Sequence, residues 1–340
     1  MNKITTSLFS LLILILLVSC TEDDGTTTTI TCTDNTYYAL RSSNMGNPSG
    51  VIDVIQNTTS NITTSSFTVN GGINASNTVR NHPSAWDRMN KRFVWFDQEE
   101  GIDGFVYDET SNALNTFSLP ATAQTNLGRF TAPVFFQGVL YVLDFDANPA
   151  APQFDIHIMN PSNGSIGPSL GNVLFNPGTL VTDGSFTFAT STTNDIDTIY
   201  FRVGNDIIYF NPISGIITDY RGINGIGGFT TGLEYNADKD VFYVVTDNQG
   251  SIDLLEIKIN GVNNYAVTTI DSSLNVNMDS VSIEWKDCGK RLHIVSNYPA
   301  SQTSGGQDTT EIIEFNLDAS PSFVTRSFNG FIYGFVHKKI

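Results

Sequence analysis

Positive charge is scarce in this chain. Seventeen lysines and arginines stand against 34 aspartates and glutamates, a formal net charge of −17. Such a field repels polyanions, which excludes nucleic acid and an anionic bilayer surface as binding partners. Charged residues of both signs together make up only 15% of the chain, and the helix formers Glu, Lys and Ala are thin. Recognisable catalytic signatures are missing too. There is no Gly-x-Ser-x-Gly elbow, no His-Glu-x-x-His, no P-loop and no dinucleotide-binding glycine fingerprint. No apolar run is long enough to cross a membrane as a helix. The longest, Leu8 to Val18, has eleven residues and is broken by Ser10, against the ~20 a spanning helix needs. What the chain does have is Val, Ile, Thr, Tyr and Phe, interspersed with Asn, Ser and Gly. That mixture predicts an all-β protein.

The N-terminus has its own logic. Lys3 supplies a short positive region, and Leu8–Val18 has the length of a signal-peptide core, which is removed and takes no part in the fold. Leu17-Val18-Ser19-Cys20 follows directly. These four residues resemble the lipobox of bacterial lipoprotein precursors. The resemblance implies cleavage before Cys20, lipidation of its sulfur and acylation of the new amine, with about 0.8 kcal/mol from each buried CH₂. Thr21-Glu22-Asp23-Asp24 then resembles the surface-export signal of Bacteroidetes lipoproteins. It implies an outer-membrane lipoprotein exposed at the cell surface, with a periplasm-facing anchor as the alternative. Residues 1–19 are thus read as signal peptide, 20–34 as a lipidated flexible linker and 35–340 as the folded body. The mature chain keeps 16 basic and 34 acidic residues, a net −18.

A unit of about fifty residues recurs along the body. One strand of each unit reads Tyr37–Leu40, Phe93–Phe96, Leu140–Leu143, Ile199–Phe201, Phe242–Val245 and Leu292–Val295. The second residues of these stretches are spaced by 56, 47, 59, 43 and 50. A further strand follows each: Val51–Ile55, Phe105–Tyr107, Ile156–Met159, Ile207–Phe210, Leu254–Ile257 and Ile312–Phe315. Turns such as Asn160–Gly164 and Asn211–Gly215 come next, with proline presetting one position and glycine supplying positive φ at another. Asp108–Asn112 and Asn260-Gly261 serve the same purpose. Six such units predict a six-bladed β-propeller. Each blade needs an innermost strand ahead of the first one named. Pro83–Trp86, Ala132–Phe136, Ser185–Ala189, Thr230–Tyr235 and Val281–Trp285 supply it for blades 2 to 6. Blade 1 lacks one, and Phe331–Val336 is left over at the far end of the chain. That segment is expected to complete blade 1 and close the ring, removing an exposed sheet edge. The pattern resembles the six-bladed propeller class over residues 35–340. Tryptophan-aspartate, kelch di-glycine and Asp-box repeats are not present in regular form.

Topology then places the remaining cysteines. In a propeller, the hairpins between the first and second strands of each blade share one face, the bottom. Cys288 falls in such a hairpin of blade 6, and Cys32 falls where that of blade 1 would be. A Cys32–Cys288 disulfide across the seam is expected in an oxidising compartment, with two unpaired thiols as the alternative. The lipidated linker leaves from the same face, so the top face, with its loops between second and third strands, is expected to point away from the membrane.

Candidate binding residues gather at that top face. His82 precedes the first strand of blade 2. Asp97, Asp144, Asp247 and Asn297 stand where second strands exit, with Glu99 and Glu100 nearby. A ring of carboxylates could bind Ca²⁺, which takes six to eight oxygens, or sugar hydroxyls. The bland alternative is that Asp and Asn at strand exits cap their own turns. His157 and His293 are expected to be packed strand residues, and Trp86, Trp95 and Trp285 core rather than sugar platforms. Asp197-Thr198-Ile199, Asp279-Ser280-Val281 and Asp308-Thr309-Thr310 resemble the Bacteroidetes O-glycosylation sequon. The reading favours a non-enzymatic surface lipoprotein that binds a protein or glycan and needs no cofactor. A propeller hydrolase or lactonase with a channel metal is the alternative, and an accessory subunit of an outer-membrane complex a third.

Overall fold

Phe93-Val94-Trp95-Phe96 is apolar at every position, so neither face of that strand can be left to water. All four side chains are buried, and they point alternately into two different cores. Phe93 and Trp95 pack with Tyr38, Leu40, Phe331 and Val336. Val94 and Phe96 pack with Phe130, Phe135, Leu140 and Val142. This two-sided burial is the rule throughout the molecule.

The computed structural model describes residues 36–42, 49–56, 62–70, 83–97, 103–119, 130–146, 153–174, 189–224, 226, 230–248, 250–277, 282–286, 290–317 and 322–338. The signal peptide, Cys20, Cys32, His82, Glu99, Glu100, Cys288 and the expected disulfide lie outside them. No helix among the described residues is long and apolar enough to cross a membrane.

Blade 1 holds β1 (Thr36–Ser42), β2 (Ser49–Gln56) and β3 (Ile62–Asn70). Blade 2 holds β4 (Ser84–Asp87), β5 (Arg92–Asp97), β6 (Asp103–Asp108) and β7 (Ala113–Ser118). Blade 3 holds β8 (Phe130–Phe136), β9 (Val139–Asp146), β10 (Gln153–Met159) and β11 (Gly171–Leu174). Blade 4 holds β12 (Thr190–Thr193), β13 (Ile199–Val203), β14 (Asp206–Asn211) and β15 (Ile216–Tyr220). Blade 5 holds β16 (Thr230–Asn236), β17 (Val241–Asn248), β18 (Ser251–Gly261) and β19 (Asn264–Asp271). Blade 6 holds β20 (Ser282–Lys286), β21 (Arg291–Tyr298), β22 (Thr309–Asn316) and β23 (Ser322–Asn329), and β24 (Phe331–His337) follows. Every sheet is an antiparallel four-stranded blade, and blade 1 has the order β24-β1-β2-β3. The inner strands β24, β4, β8, β12, β16 and β20 each contact the next around a ring. Six apolar cores fill the six blade–blade interfaces, one apiece.

One expected strand lies elsewhere. The inner strand of blade 4 is Thr190–Thr193 rather than Ser185–Ala189. Ala189 precedes it, and residues 185–188 lie outside the description. The turn fixes the register: the Asn194 side-chain oxygen accepts the amides of Ile196, Asp197 and Thr198 at 2.9–3.0 Å. The strand must therefore end at Thr193, opposite Ile199. Hydroxyl side chains here defeat a search for apolar alternation.

The seam where chain ends meet has two clamps. At the top, a single residue, Gly330 with φ +89°, links β23 to β24. Asn297 holds this link. Its Oδ1 accepts the Ile332 amide at 3.0 Å and the Thr310 hydroxyl at 2.6 Å, and its Nδ2 donates to the Ile332 carbonyl at 2.8 Å. Towards the bottom, Tyr37 of β1 lies over His293 of β21, ring centroids 4.7 Å apart. His293 Nε2 is 3.2 Å from Glu314 Oε2. Arg291 meets the other oxygen of Glu314, and Arg326 is 3.7 Å away. Burial opposes the Glu314 charge, but the hydrogen bond and charge of His293, with those two guanidiniums, outweigh it and hold the carboxyl at about 2. The Glu284 carboxylate accepts the His337 amide at 2.9 Å and ties β20 to β24.

Two outcomes follow from the seam. Asn297→Leu removes the Nδ2 donor from the buried Ile332 carbonyl and leaves the Ile332 amide with the Thr310 hydroxyl at 3.0 Å, so stability should fall by on the order of 2 kcal/mol, seen as a lower urea midpoint at unchanged slope. Glu314 has a folded-state pKa below its ordinary 4.5. Its stabilising contribution is therefore complete above about pH 4.5 and is lost as pH falls towards 2. Urea titrations between pH 6 and 3 should show this acid limb in the parent chain and a flatter one in Glu314→Gln.

Candidate binding face

Strand direction sorts every connection onto one of two faces. First-to-second and third-to-fourth connections lie at the bottom. Second-to-third connections and the links between blades lie at the top. Bottom connections span two to five residues, except 160–170 in blade 3. At the top, five of the six links between blades span nine to fifteen residues, and the connection between β21 and β22 spans ten. The seam shows how little such a crossing requires, since Gly330 alone carries the chain from outer strand β23 to inner strand β24. The other five links between blades exceed that need.

The expected site residues fall into separate blades. Asp144 is fully buried near the top of β9, with His157 Nε2 3.6 Å from its Oδ2. His157 Nδ1 donates to the Gly167 carbonyl at 2.9 Å, which turns the other ring nitrogen towards the carboxylate. Asp247 is half-buried and its Oδ1 accepts the Gly250 amide at 2.8 Å, closing the turn after β17. Asn297 is buried in the seam. Asp97 ends β5 opposite Asp103. Asp144, Asp247 and Asn297 thus sit in blades 3, 5 and 6, each with a local task. Among the described residues, no group of three His, Cys, Asp or Glu side chains is placed to hold a metal ion.

The inner strands carry mostly hydroxyl, aromatic and glycine residues. Their acidic members are Asp87, Glu234 and Glu284. Asp87 is buried and held by Arg92 and by the Met89 and Asn90 amides. Towards the top, two inner strands leave regular geometry. β8 is bulged between Thr131 and Val134, and β16 between Thr231 and Glu234. At the bulges Ala132 has φ +49° and Gly232 φ +73°. Bulges turn backbone groups out of the ladder, and blade 4 collects them from both sides. The Ser191 hydroxyl lies 3.0 and 2.9 Å from the Ala132 and Pro133 carbonyls. Arg202 donates to the Gly232 carbonyl from Nε and to Gly204 from Nη1, both at 3.0 Å. Arg202 is fully buried, and desolvation draws its pKa down to about 9, so it keeps its charge at neutral pH. The alternation of Ile199-Tyr200-Phe201-Arg202-Val203 was the available signal for it, an arginine in an otherwise apolar strand. The bulges had none beyond Gly232 and Pro133.

Fold and face together define a six-bladed β-propeller with an elaborated top and a plain bottom. No family model matches the chain, and no curated protein matches it. Solved structures do. TolB from Acinetobacter baumannii is 15% identical, with 91% of this chain and 68% of that chain covered at a TM-score of 0.54. A chain of the nidogen/laminin complex is 11% identical, with 88% and 97% covered at 0.52. The periplasmic gluconolactonase of Pseudomonas aeruginosa is 10% identical, with 88% and 98% covered at 0.48. At these identities the likeness to the first two shows the fold alone.

Gly232→Ala tests the bulge that receives Arg202. A Cβ there would lie 2.3 Å from Ile283 Cγ1, on a backbone with positive φ. Strain and overpacking together should cost about 2–4 kcal/mol, measured by urea unfolding, whereas Gly250→Ala, with open space around it, should cost about 1 kcal/mol.

Proposed function

We propose that this chain is a lipid-anchored propeller of the bacterial outer membrane, exposed at the cell surface, that binds a protein or glycan partner through its top face. The observation that carries the reading is the asymmetry of the connections. Binding residues concentrate on loops held by a rigid scaffold, and here length beyond what the topology requires is concentrated on the top face, with 160–170 in blade 3 the one long connection at the bottom. The sequences of the longest links, 71–83, 119–129 and 175–189, are dominated by Asn, Thr, Ser, Gly and apolar residues. Amide and hydroxyl side chains of this kind suit adaptable hydrogen bonding to neutral polar surfaces. A protein–protein assembly, the nidogen/laminin complex, includes a chain of this fold, which agrees with a protein partner.

The test uses the full-length chain purified from its native membrane in detergent. Mass spectrometry of the N-terminal peptide should find acyl chains on Cys20, and unmodified Cys20 would remove the anchor from the proposal. Arrays of surface glycans and surface proteins should then yield a ligand whose affinity falls at least tenfold when residues 175–189 are shortened. It should stay unchanged when the 212–215 turn is replaced. Turnover of lactones, or a large calcium-dependent rise in melting temperature, would instead favour a channel-metal hydrolase.

A further inference from the structure

Four of the chain's twelve tyrosines meet at one blade interface. Strand register puts them there. Tyr200 of β13 stands directly opposite Tyr209 of β14, and Tyr220 of β15 is opposite Ile207, one step along the same face. All of these side chains look towards blade 5, whose inner strand brings Tyr235. Tyr200 is buried, while Tyr209, Tyr220 and Tyr235 are half-buried. Ring centroids are 4.6 Å apart from Tyr220 to Tyr209, 4.7 Å from Tyr209 to Tyr200 and 4.7 Å from Tyr200 to Tyr235. The row ends on a base. Tyr235 donates its hydroxyl to Asp240 Oδ1 at 2.9 Å, and Asp240 is exposed in the turn at the bottom. The hydroxyls of Tyr200 and Tyr235 share a hydrogen bond of their own.

Burial, with Tyr235 alongside, pushes the pKa of Tyr200 well up, and burial and the bond to Asp240 raise that of Tyr235. Both phenols are therefore neutral at neutral pH. A neutral phenol that loses an electron must also lose its proton, and a base already in hydrogen-bond contact speeds that transfer.

We propose that Tyr200 and Tyr235 are an oxidative cross-linking site, where a peroxidase using hydrogen peroxide joins blade 4 to blade 5 through a carbon–carbon bond between the two rings. Electrons leave through the half-buried Tyr220, Tyr209 and Tyr235, and ring contact carries the oxidation inward to Tyr200. Each phenol of the pair gives up one electron and its hydroxyl proton, and Asp240 takes the proton that leaves through Tyr235. The two phenoxyl rings then bond through carbons beside their hydroxyls. The hydrogen on each of those carbons moves to its own oxygen and restores both phenols. Two tyrosines and one hydrogen peroxide thus give one dityrosine and two waters.

Geometry selects this pair. Its centroid separation is already close to that of two directly bonded rings, and the shared hydrogen bond sets the adjoining carbons side by side. Its rings are inclined by 41°, whereas Tyr200 and Tyr209 meet edge to face at 74° and Tyr209 and Tyr220 at 58°. In the interface of blades 1 and 2, Tyr38 and Tyr107 are 6.1 Å apart. A bond between residues thirty-five positions apart constrains the unfolded chain as a disulfide does. It also locks one of the six interfaces that hold the ring.

The experiment treats the dilute full-length chain with a haem peroxidase and hydrogen peroxide and isolates the monomer under denaturing conditions. Dityrosine fluorescence is expected in the monomer, with a peptide pair joining Tyr200 to Tyr235 that is lighter by two hydrogens than its parts. The treated protein should melt at a higher temperature. Tyr235→Phe should abolish that peptide pair. Asp240→Asn changes an exposed position, so it should keep the parent melting temperature while coupling slows at least tenfold. Dityrosine found only in covalent dimers, or only between Tyr209 and Tyr220, overturns the proposal. So does an unchanged coupling rate in Asp240→Asn, because the proton would then have no need of that carboxylate.

Discussion

Everything in this molecule depends on the fact that each blade has two apolar faces. A β-strand alternates its side chains between faces, and in the second strand of each blade both sets are apolar. Tyr38 and Leu40 look one way into the core shared with blade 2, and Tyr37 and Ala39 look the other way into the core shared with blade 6. Tyr243 and Val245 face blade 6, while Phe242 and Val244 face blade 4. A blade alone would expose both surfaces, and a row of blades would expose one at each end. Only a ring leaves no apolar face uncovered, so stability is a property of closure rather than of any single sheet.

The seam bears the consequence of that demand. Blade 1 takes its inner strand from the end of the chain, so the first and last blades must recognise each other across the full sequence. The molecule places its most specific polar interactions there. Asn297 satisfies both backbone groups of Ile332 and fixes the one-residue crossover. Buried Glu314 and His293, joined by the partly exposed Arg291 and Arg326, lie under Tyr37. Apolar contact tolerates sliding, whereas these paired groups accept one register only, because a slip would leave charges and amides buried without partners.

The two faces divide the remaining work. Short hairpins at the bottom, with 160–170 in blade 3 as the exception, close the blades economically and leave isolated apolar tips. At the top, connections run longer than the geometry requires, and the inner strands of blades 3 and 5 bulge, with Ser191 and Arg202 of blade 4 receiving the displaced carbonyls. The positive-φ positions, Ala132 and Gly232, are thus on the same side as the long links. The anchored irregularities of the inner strands therefore lie at the end of the ring where the long links begin and end. Asp144 and Asp247, prominent as charges in the sequence, lie beside His157 and in the turn after β17.

By itself the sequence determined the class, the number of blades and the position of most strands. It did so because an apolar run bounded by turn residues has few ways to be buried, and six such runs at fifty-residue spacing leave one architecture. It also pointed to Phe331–Val336 as the strand that blade 1 lacks. It misplaced the inner strand of blade 4, since Thr190–Thr193 is polar and is located by the Asn194 turn and its pairing with β13. It could not distinguish a carboxylate that meets a ligand from one that meets a neighbour. Asp144, Asp247 and Asn297 look alike as strand-exit residues, and only the tertiary structure decided that one faces a histidine, one an amide and one the seam. The same holds for Arg202, His293 and Glu314. Their partners lie on other strands or on neighbouring blades, and no local pattern records which strand a fold will bring alongside.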